Sequence, residues 1–145
     1  MENENGRAVV VGTIGQDAHM IGAWVISEAF KTAGFRVTYL GAVVPQEEFI
    51  HAAIETAADA ILISSNYGMG IIDCEGMRDK CIEAGLDNII LYAGGSVAAL
   101  ADLATNWPEI EGKFLNKMGF NRVFKNTVSA EETVAFLKQD LGMEE

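Results

Sequence analysis

The sequence has little proline, cysteine or positive charge, and each scarcity excludes a class of protein. Its 145 residues include 2 prolines and 2 cysteines, and 10 Lys and Arg stand against 21 Asp and Glu, which gives a formal net charge of −11. A surface this acidic repels nucleic acid phosphates and anionic lipids, so we expect neither as a partner. No apolar run approaches the ~18 residues of a membrane-spanning helix, and the acidic first residues are unlike a secretory signal. These features together favour a cytoplasmic protein.

The two cysteines, Cys74 and Cys81, predict neither a disulfide nor a metal site. They lie seven residues apart in a segment of helical periodicity, which puts their Cα atoms roughly 10 Å apart, beyond disulfide reach. No Cys-x-x-Cys pair or nearby pair of histidines completes a set of metal ligands. We expect buried thiols in a reducing compartment.

What the sequence does have is an alternation of short apolar runs with segments of helical periodicity. Hydrophobic residues make up 50% of the chain, and its length fits one domain. The predicted strands cover residues 8–13, 35–40, 59–65, 88–92 and, weakly, 122–124. The predicted helices cover 19–33, a segment starting at 45, 72–84, 109–118 and a segment starting at 129, while 96–107 is ambiguous.

This alternation predicts an α/β fold with a doubly wound five-stranded parallel sheet, of the flavodoxin or Rossmann-like kind. We expect a single domain over residues 8–145, after a flexible N-terminal tail at 1–7. The first helix is predicted to be amphipathic from the spacing of Ile21, Trp24, Val25 and Ala29. The second is predicted to bury Phe49, Ala52, Ala53 and Ile54.

Ligands of such folds bind at the carboxyl ends of the strands, and the first loop there reads Asp17-x-His19-x-x-Gly22. It contains neither glycine pattern typical of nucleotide sites, and no lysine for a phosphate. A carboxylate two residues before an imidazole can hold one ring nitrogen and leave the other for a ligand. Asp17 could equally be a helix cap beside an ordinary surface histidine.

The loops after the third and fourth strands add polar groups and glycines. The former reads Ser64-Ser65-Asn66-Tyr67-Gly68, and the latter Gly94-Gly95-Ser96. Hydroxyl and amide groups can hold a polar ligand, and paired glycines let a ligand approach the backbone. Both patterns also occur in ordinary turns.

Together, the Asp-x-His-x-x-Gly motif, the serines ending the third strand and the double glycine ending the fourth resemble the cobalamin-binding domain family. Further segments, spread from about residue 9 to 141, resemble the small or sigma subunit of glutamate mutase (methylaspartate mutase). These segments are Phe49-Ile50, 52–56, Ile72-Asp73-Cys74, Gly76, Arg78, Lys80-Cys81, 83–86, Asn106-Trp107-Pro108 and Met118-Gly119-Phe120.

The resemblance implies a cofactor site. His19 would replace the cofactor's dimethylbenzimidazole as the lower axial ligand of cobalt, with Asp17 hydrogen-bonded to its other ring nitrogen. The displaced nucleotide tail would enter a slot between the sheet and the first helix. The residues expected to bind the cofactor are Gln16, Asp17, Ala18, His19, Met20, Gly22, Ser64, Ser65, Asn66, Gly94, Gly95, Ser96, Val97, Ala98, Ala99 and Leu100.

The resemblance also implies an activity and a partner. With adenosylcobalamin, the enzyme would interconvert L-glutamate and L-threo-3-methylaspartate by radical carbon-skeleton rearrangement. A large, epsilon-type barrel subunit would carry the substrate and cover the exposed corrin face, in a heterotetramer. This chain would then be an isomerase subunit that is active only with its partner, and its role would be to hold cobalamin.

Two departures from the family pattern leave a sibling carbon-skeleton mutase of a biosynthetic pathway open. The Ser-x-Leu of the third strand reads Ser64-Ser65-Asn66 here, and the Pro-Pro-Gly-Thr after the fifth reads Lys125-Asn126-Thr127-Val128.

Two further alternatives are a corrinoid carrier protein of a methyltransferase system and a flavodoxin-like binding or signalling domain without cobalamin. Corrinoid carriers usually add a helical segment before the domain, whereas about seven residues precede the first strand here. A cobalamin-free domain has no need of the Asp-His pair.

Overall fold

The computed structural model describes residues 5–98 and 100–143, and it places five parallel strands in one sheet of order β2-β1-β3-β4-β5. This confirms the doubly wound α/β fold. The strands are β1 (Ala8–Thr13), β2 (Arg36–Tyr39), β3 (Ala60–Ser65), β4 (Ile90–Gly95) and β5 (Arg122–Phe124). β1 and β3 are buried along their whole length, as expected for parallel strands covered on both faces.

Helices cover both faces of the sheet. They are α1 (Ile21–Thr32), α2 (Gln46–Thr56), α3 (Gly70–Asp73), α4 (Met77–Glu83), α5 (Leu100–Thr105), α6 (Trp107–Gly112), which continues as a π-helical segment (Lys113–Lys117), and α7 (Ala130–Asp140). One hydrophobic cluster joins the sheet to α1 and α7, and the other joins it to α2, α4 and α6. The predicted N-terminus of the last helix is confirmed, since Ser129 and Glu132 form a capping box.

The predicted face of α1 is wrong, and the predicted face of α2 is confirmed at Phe49, Ala52 and Ala53 but wrong at Ile54. In α1 the sheet-facing residues are Ala23, Ser27 and Phe30, whereas Ile21 is 78% exposed and Trp24 52% exposed. In α2, Ile50 is buried where Ile54 was expected, and Ile54 is half exposed. Ala23 and Ser27 on the inner face of α1 are small and let the helix backbone approach the sheet, whereas Ile21 and Trp24 point away from it.

The pairing register aligns the carboxyl ends of β1, β3 and β4 at one edge of the sheet. Thr13 pairs with Ser64, and Ser64 with Gly94, so the loops that follow these strands begin side by side. This is the edge where the sequence places its candidate ligand groups. The observed β4 ends three residues later than predicted, which brings Gly94 and Gly95 into the sheet itself.

The remaining predictions concern the termini, the thiols and membrane spans. Residues 1–4, 99 and 144–145 lie outside the described residues; of the predicted tail, Asn5 and Arg7 hydrogen-bond with Gly34 and Asp59. Cys74 and Cys81 are free and buried, as predicted, and burial raises both thiol pKa values. Over the described ranges, no helix has the length and apolar character of a membrane span.

An ion pair fastens the end of α7 to the sheet. Asp140 accepts hydrogen bonds from Arg122 Nε at 2.7 Å and Arg122 Nη2 at 2.9 Å, and another from the Tyr92 hydroxyl. The hydrogen bonds from Arg122 hold the pKa of Asp140 below its ordinary value despite partial burial.

We expect Asp140→Asn to lower the free energy of unfolding at pH 7 by about 1 kcal/mol, because the two-pronged contact with Arg122 is lost. Since the folded-state pKa is lowered, this stabilisation is complete above the unfolded-state value of about 3.9 and is lost as pH falls through the folded-state value. Urea unfolding at pH 7 and at about pH 2.5 measures the difference, which should shrink in acid. Asp87→Asn, at an exposed residue whose carboxylate has no partner in the described structure, is the control. A difference that is unchanged at low pH would contradict this role.

Candidate functional site

The carboxylate of Asp17 is buried at the centre of the first loop, with 1% of the residue exposed. Its Oδ1 accepts hydrogen bonds from the His19 backbone N–H at 2.9 Å and lies 2.6 Å from His19 Nδ1. Its Oδ2 accepts one from the Asn66 backbone N–H at 2.6 Å. Burial alone would raise the pKa of Asp17, but these hydrogen bonds outweigh it and hold the pKa below its ordinary value. The residue is therefore an ionised acceptor.

This arrangement fixes the tautomer of His19. An ionised carboxylate can only accept, so the ring nitrogen 2.6 Å away, Nδ1, carries the proton. The Nε2 of a neutral ring then keeps its lone pair, on a side chain that is 70% exposed. The imidazole is thus held in place by Asp17, and its exposed Nε2 could ligate a metal.

Asn66 joins the first loop to the loop after β3. Besides the N–H bond to Asp17, its Nδ2 donates to Ser64 Oγ at 3.0 Å and to the His19 carbonyl at 3.3 Å. An apolar side chain at this position could make neither contact. The departure from the family pattern at Asn66 therefore supplies a polar brace beneath His19.

A second contact, missed by the sequence analysis, supports the same loop from the other side. The Tyr67 hydroxyl accepts a hydrogen bond from the Gln16 N–H at 3.2 Å and donates one to Asp73 Oδ2 at 2.5 Å, which raises the pKa of Tyr67. Gly15, at φ +76°, lies so close that an added Cβ would be 2.4 Å from Asp73 Oδ2. Tyr67 stands in a loop that the sequence singles out, but its partner Asp73 carries no local signal.

The loop after β2 closes the site with strained backbone. The Val43 N–H donates to the Asp17 carbonyl at 3.0 Å, and Val43 itself adopts φ +57°. Left-handed backbone is costly for a β-branched residue and persists only when its surroundings impose it. Three loops thus hold the Asp17–His19 segment.

A groove of about 280 Å³ runs between α1, the ends of β3 and β4, and the segment from β5 into α7. Four of the residues expected to bind the cofactor, Gly22, Ser64, Gly94 and Gly95, line it. Asn66 joins them at the end nearest His19. Its other lining residues are Val25, Ile26, Phe124, Lys125, Asn126, Val128, Ala130 and Thr133.

Two of the groove glycines are needed for different reasons. Gly95 has φ +97°, and a Cβ there would lie 2.5 Å from the Ser65 carbonyl oxygen, so the fold itself requires glycine. At Gly22 a Cβ would make only ordinary contacts, 3.7 Å from Ser64 Oγ and 3.9 Å from Asn66 Oδ1. Glycine at position 22 therefore leaves the groove open without being required by packing.

The other residues expected to bind the cofactor are spread over three environments. Gln16, Ala18 and Met20 are exposed beside His19, and Ser96 lies at the groove rim, 3.5 Å from Asn126 Nδ2. Ser65, Val97 and Ala98 are buried in the sheet and the core beneath it. Ala99 lies outside the described residues, and of Leu100 only the backbone, at the start of α5, is described. Within 5–98 and 100–143, no three His, Cys, Asp or Glu side chains come together to hold a bare metal ion.

The chain matches a family model and relatives of known name. The model of the B12 binding domain family matches residues 7–110. The chain is 46% identical over 137 residues to the glutamate mutase sigma subunit of Clostridium tetani, covering 94% of this chain and 97% of that one. It is 47% identical to the sigma subunit of Clostridium cochlearium, covering 95% and 98%.

Solved structures share the fold at low sequence identity. A cobalamin-binding protein from Desulfitobacterium hafniense superposes with a TM-score of 0.71 at 18% identity, covering 92% of this chain and 58% of that one. The monomethylamine corrinoid protein of Methanosarcina barkeri gives 0.69 at 16%, covering 94% and 60%. A response regulator from Burkholderia multivorans gives 0.54 at 15%, covering 96% and 97%, so the fold by itself does not select a ligand. The sequence relatives and the matched domain identify the family. The chain belongs to the glutamate mutase sigma subunit family and contains a B12-binding domain.

Proposed function

We propose that this chain is the cobalamin-holding subunit of an adenosylcobalamin-dependent glutamate mutase. The observation that carries the proposal is the Asp17–His19 pair, with its 2.6 Å contact between Oδ1 and Nδ1, at one end of an open groove. The family supplies the substrate: L-glutamate, interconverted with L-threo-3-methylaspartate. The domain at 8–145, after a tail at 1–7, is the unit that binds.

The residues fit the cofactor at two points. His19 would hold the cobalt through its exposed Nε2, and Asp17 keeps a proton on Nδ1. The groove beside Gly22 has walls of glycine, Val25, Ile26 and Phe124, which suit a flat, mostly apolar base. Ser64 and Asn66 supply hydroxyl and amide groups for the polar part of a nucleotide tail.

The proposed role of this chain is to hold the cofactor and orient it. When bound, adenosylcobalamin supplies a cobalt–carbon bond whose homolysis begins radical chemistry. His19 would hold the cobalt in place, and Asp17 would orient the imidazole for this by accepting a hydrogen bond from Nδ1. The contacts of Asn66, Tyr67 and Val43 keep that pair from moving.

The substrate site belongs to a second subunit. We propose a large, epsilon-type barrel that carries glutamate and covers the corrin, in a heterotetramer with this chain. The exposed apolar side chains of Met20, Val43 and Met69 surround the loops at this edge and suit such a cover. Two free, buried thiols agree with a cytoplasmic location.

We expect the complex of this chain with cob(II)alamin to have a protein nitrogen on cobalt. In electron paramagnetic resonance, the axial nitrogen splits each cobalt hyperfine line. Labelling the protein, but not the cofactor, with nitrogen-15 should change this splitting from a triplet to a doublet. His19→Ala should lose the doublet, whereas His51→Ala, at the exposed histidine of α2, should keep it. A triplet that survives labelling would show that the cofactor keeps its own base on cobalt.

We expect Gly22→Leu to weaken cobalamin binding by about 5- to 100-fold, because the longer side chain enters the groove. Cobinamide, which lacks the nucleotide tail, should bind the variant and the wild type equally well. The matched control is Gly112→Leu, at a helical glycine outside the groove whose nearest neighbour would be 3.8 Å from a Cβ. Titration by absorbance gives both dissociation constants; equal losses for cobalamin and cobinamide would argue against a tail in this groove.

We expect the chain alone to leave glutamate unchanged with adenosylcobalamin, and the chain mixed with a glutamate mutase large subunit to form 3-methylaspartate. The reason is that the cofactor would occupy the groove and His19 of this chain, and the proposed glutamate site lies on the large subunit. His19→Ala in the mixture is the inactive control. Turnover by the isolated chain would overturn the division of labour. Rearrangement of a different substrate by the mixture would indicate a sibling mutase.

A further inference from the structure

The charge of the groove is opposite to that of the chain. Lys125 is the single charged residue among its lining residues, and no carboxylate lines it, in a protein of net charge −11. The lining of the groove therefore carries one cationic group and no anionic one. Lys125 follows β5 directly, at the mouth of the groove, in the segment that departs from the family pattern.

Lys125 is held in place without being neutralised. Its Nζ lies 5.4 Å from the centre of the Trp107 ring, and no acid pairs with it anywhere in the described ranges. Lys80 and Lys31, by contrast, pair with Glu47 at 2.6 Å and Glu28 at 3.2 Å. An aromatic face restricts an ammonium group while leaving its charge available for an anion.

The groups beside Lys125 also favour an anion. Asn126 places its amide at the same end of the groove, where Nδ2 lies 3.5 Å from Ser96 Oγ. The first residue of α7, Ala130, also lines the groove. The opposite wall, formed by Val25 and Ile26 of α1, is apolar.

We propose that Lys125 binds the phosphodiester of the cofactor's nucleotide tail. This inference rests on the proposed function, and it divides the groove into an apolar part for the base and a cationic mouth for the phosphate. The segment after β5 is thereby assigned a binding role in this chain, with Trp107 as the residue that positions the lysine.

The test compares three corrinoids that differ in the tail: cobalamin, cobinamide phosphate and cobinamide. The proteins are the wild type, Lys125→Ala, Lys125→Arg and Lys117→Ala. The last removes an exposed lysine outside the groove and so makes the same change in net charge. Dissociation constants are measured by absorbance at low and at physiological ionic strength, and circular dichroism checks that each variant is folded.

We expect Lys125→Ala to weaken cobalamin and cobinamide phosphate by roughly 5- to 20-fold and to leave cobinamide unchanged. Lys125→Arg should restore most of the loss, and Lys117→Ala should bind all three corrinoids as the wild type does. The dependence of cobalamin binding on salt should be weaker in Lys125→Ala than in the wild type.

Two results would overturn the inference while leaving the proposed function intact. One is unchanged binding of both phosphate-bearing corrinoids by Lys125→Ala. The other is an equal loss for cobinamide, which would mean that the lysine acts on the corrin or on the fold. If the wild type binds no corrinoid at all, the proposed function itself fails, so the two failures are distinguishable.

Discussion

The buried carboxylate of Asp17 is the interaction on which the rest of the site depends. It accepts hydrogen bonds from the His19 N–H, the His19 ring and the Asn66 N–H, and the backbone carbonyl of Asp17 accepts one from the Val43 N–H in the loop after β2. Because a buried charge is tolerated only when its acceptor sites are filled, these donors have little freedom to move. One carboxylate thus determines the tautomer of the imidazole, its position and the relation of two loops.

The fold could be predicted from the sequence because its signals are local. Apolar β-branched runs such as Ala8–Thr13 have few alternatives to a covered parallel strand, and Gly34 and Gly85, both at positive φ, follow the ends of helices. The buried face of α1 could not be predicted from the sequence, because hydrophobic periodicity shows only where large apolar residues recur. Ala23 and Ser27 are small, and they face the sheet for that reason.

The candidate site divides in the same way. Asp17, His19 and Gly22 lie within six residues of one another, so their spacing on the chain already constrains their spacing in space. The contacts of Tyr67 with Asp73, and of Lys125 with Trp107, join separate loops whose approach depends on the packing of the whole sheet. The position of Asn66 could be identified from the sequence. The partners of its hydrogen bonds could not, because they lie on another loop or depend on the turn of its own.

The two glycines at the groove would have different fates under mutation and drift. Alanine at Gly22 fits its surroundings and would favour helix α1 by roughly 0.5–1 kcal/mol, so folding alone gives no reason to keep glycine there. Gly95 has no such freedom, since any Cβ meets the Ser65 carbonyl. A descendant that no longer binds a ligand in the groove would therefore lose Gly22 early and retain Gly95. Among descendants of this chain, position 22 would record selection for the groove, and position 95 selection for the fold.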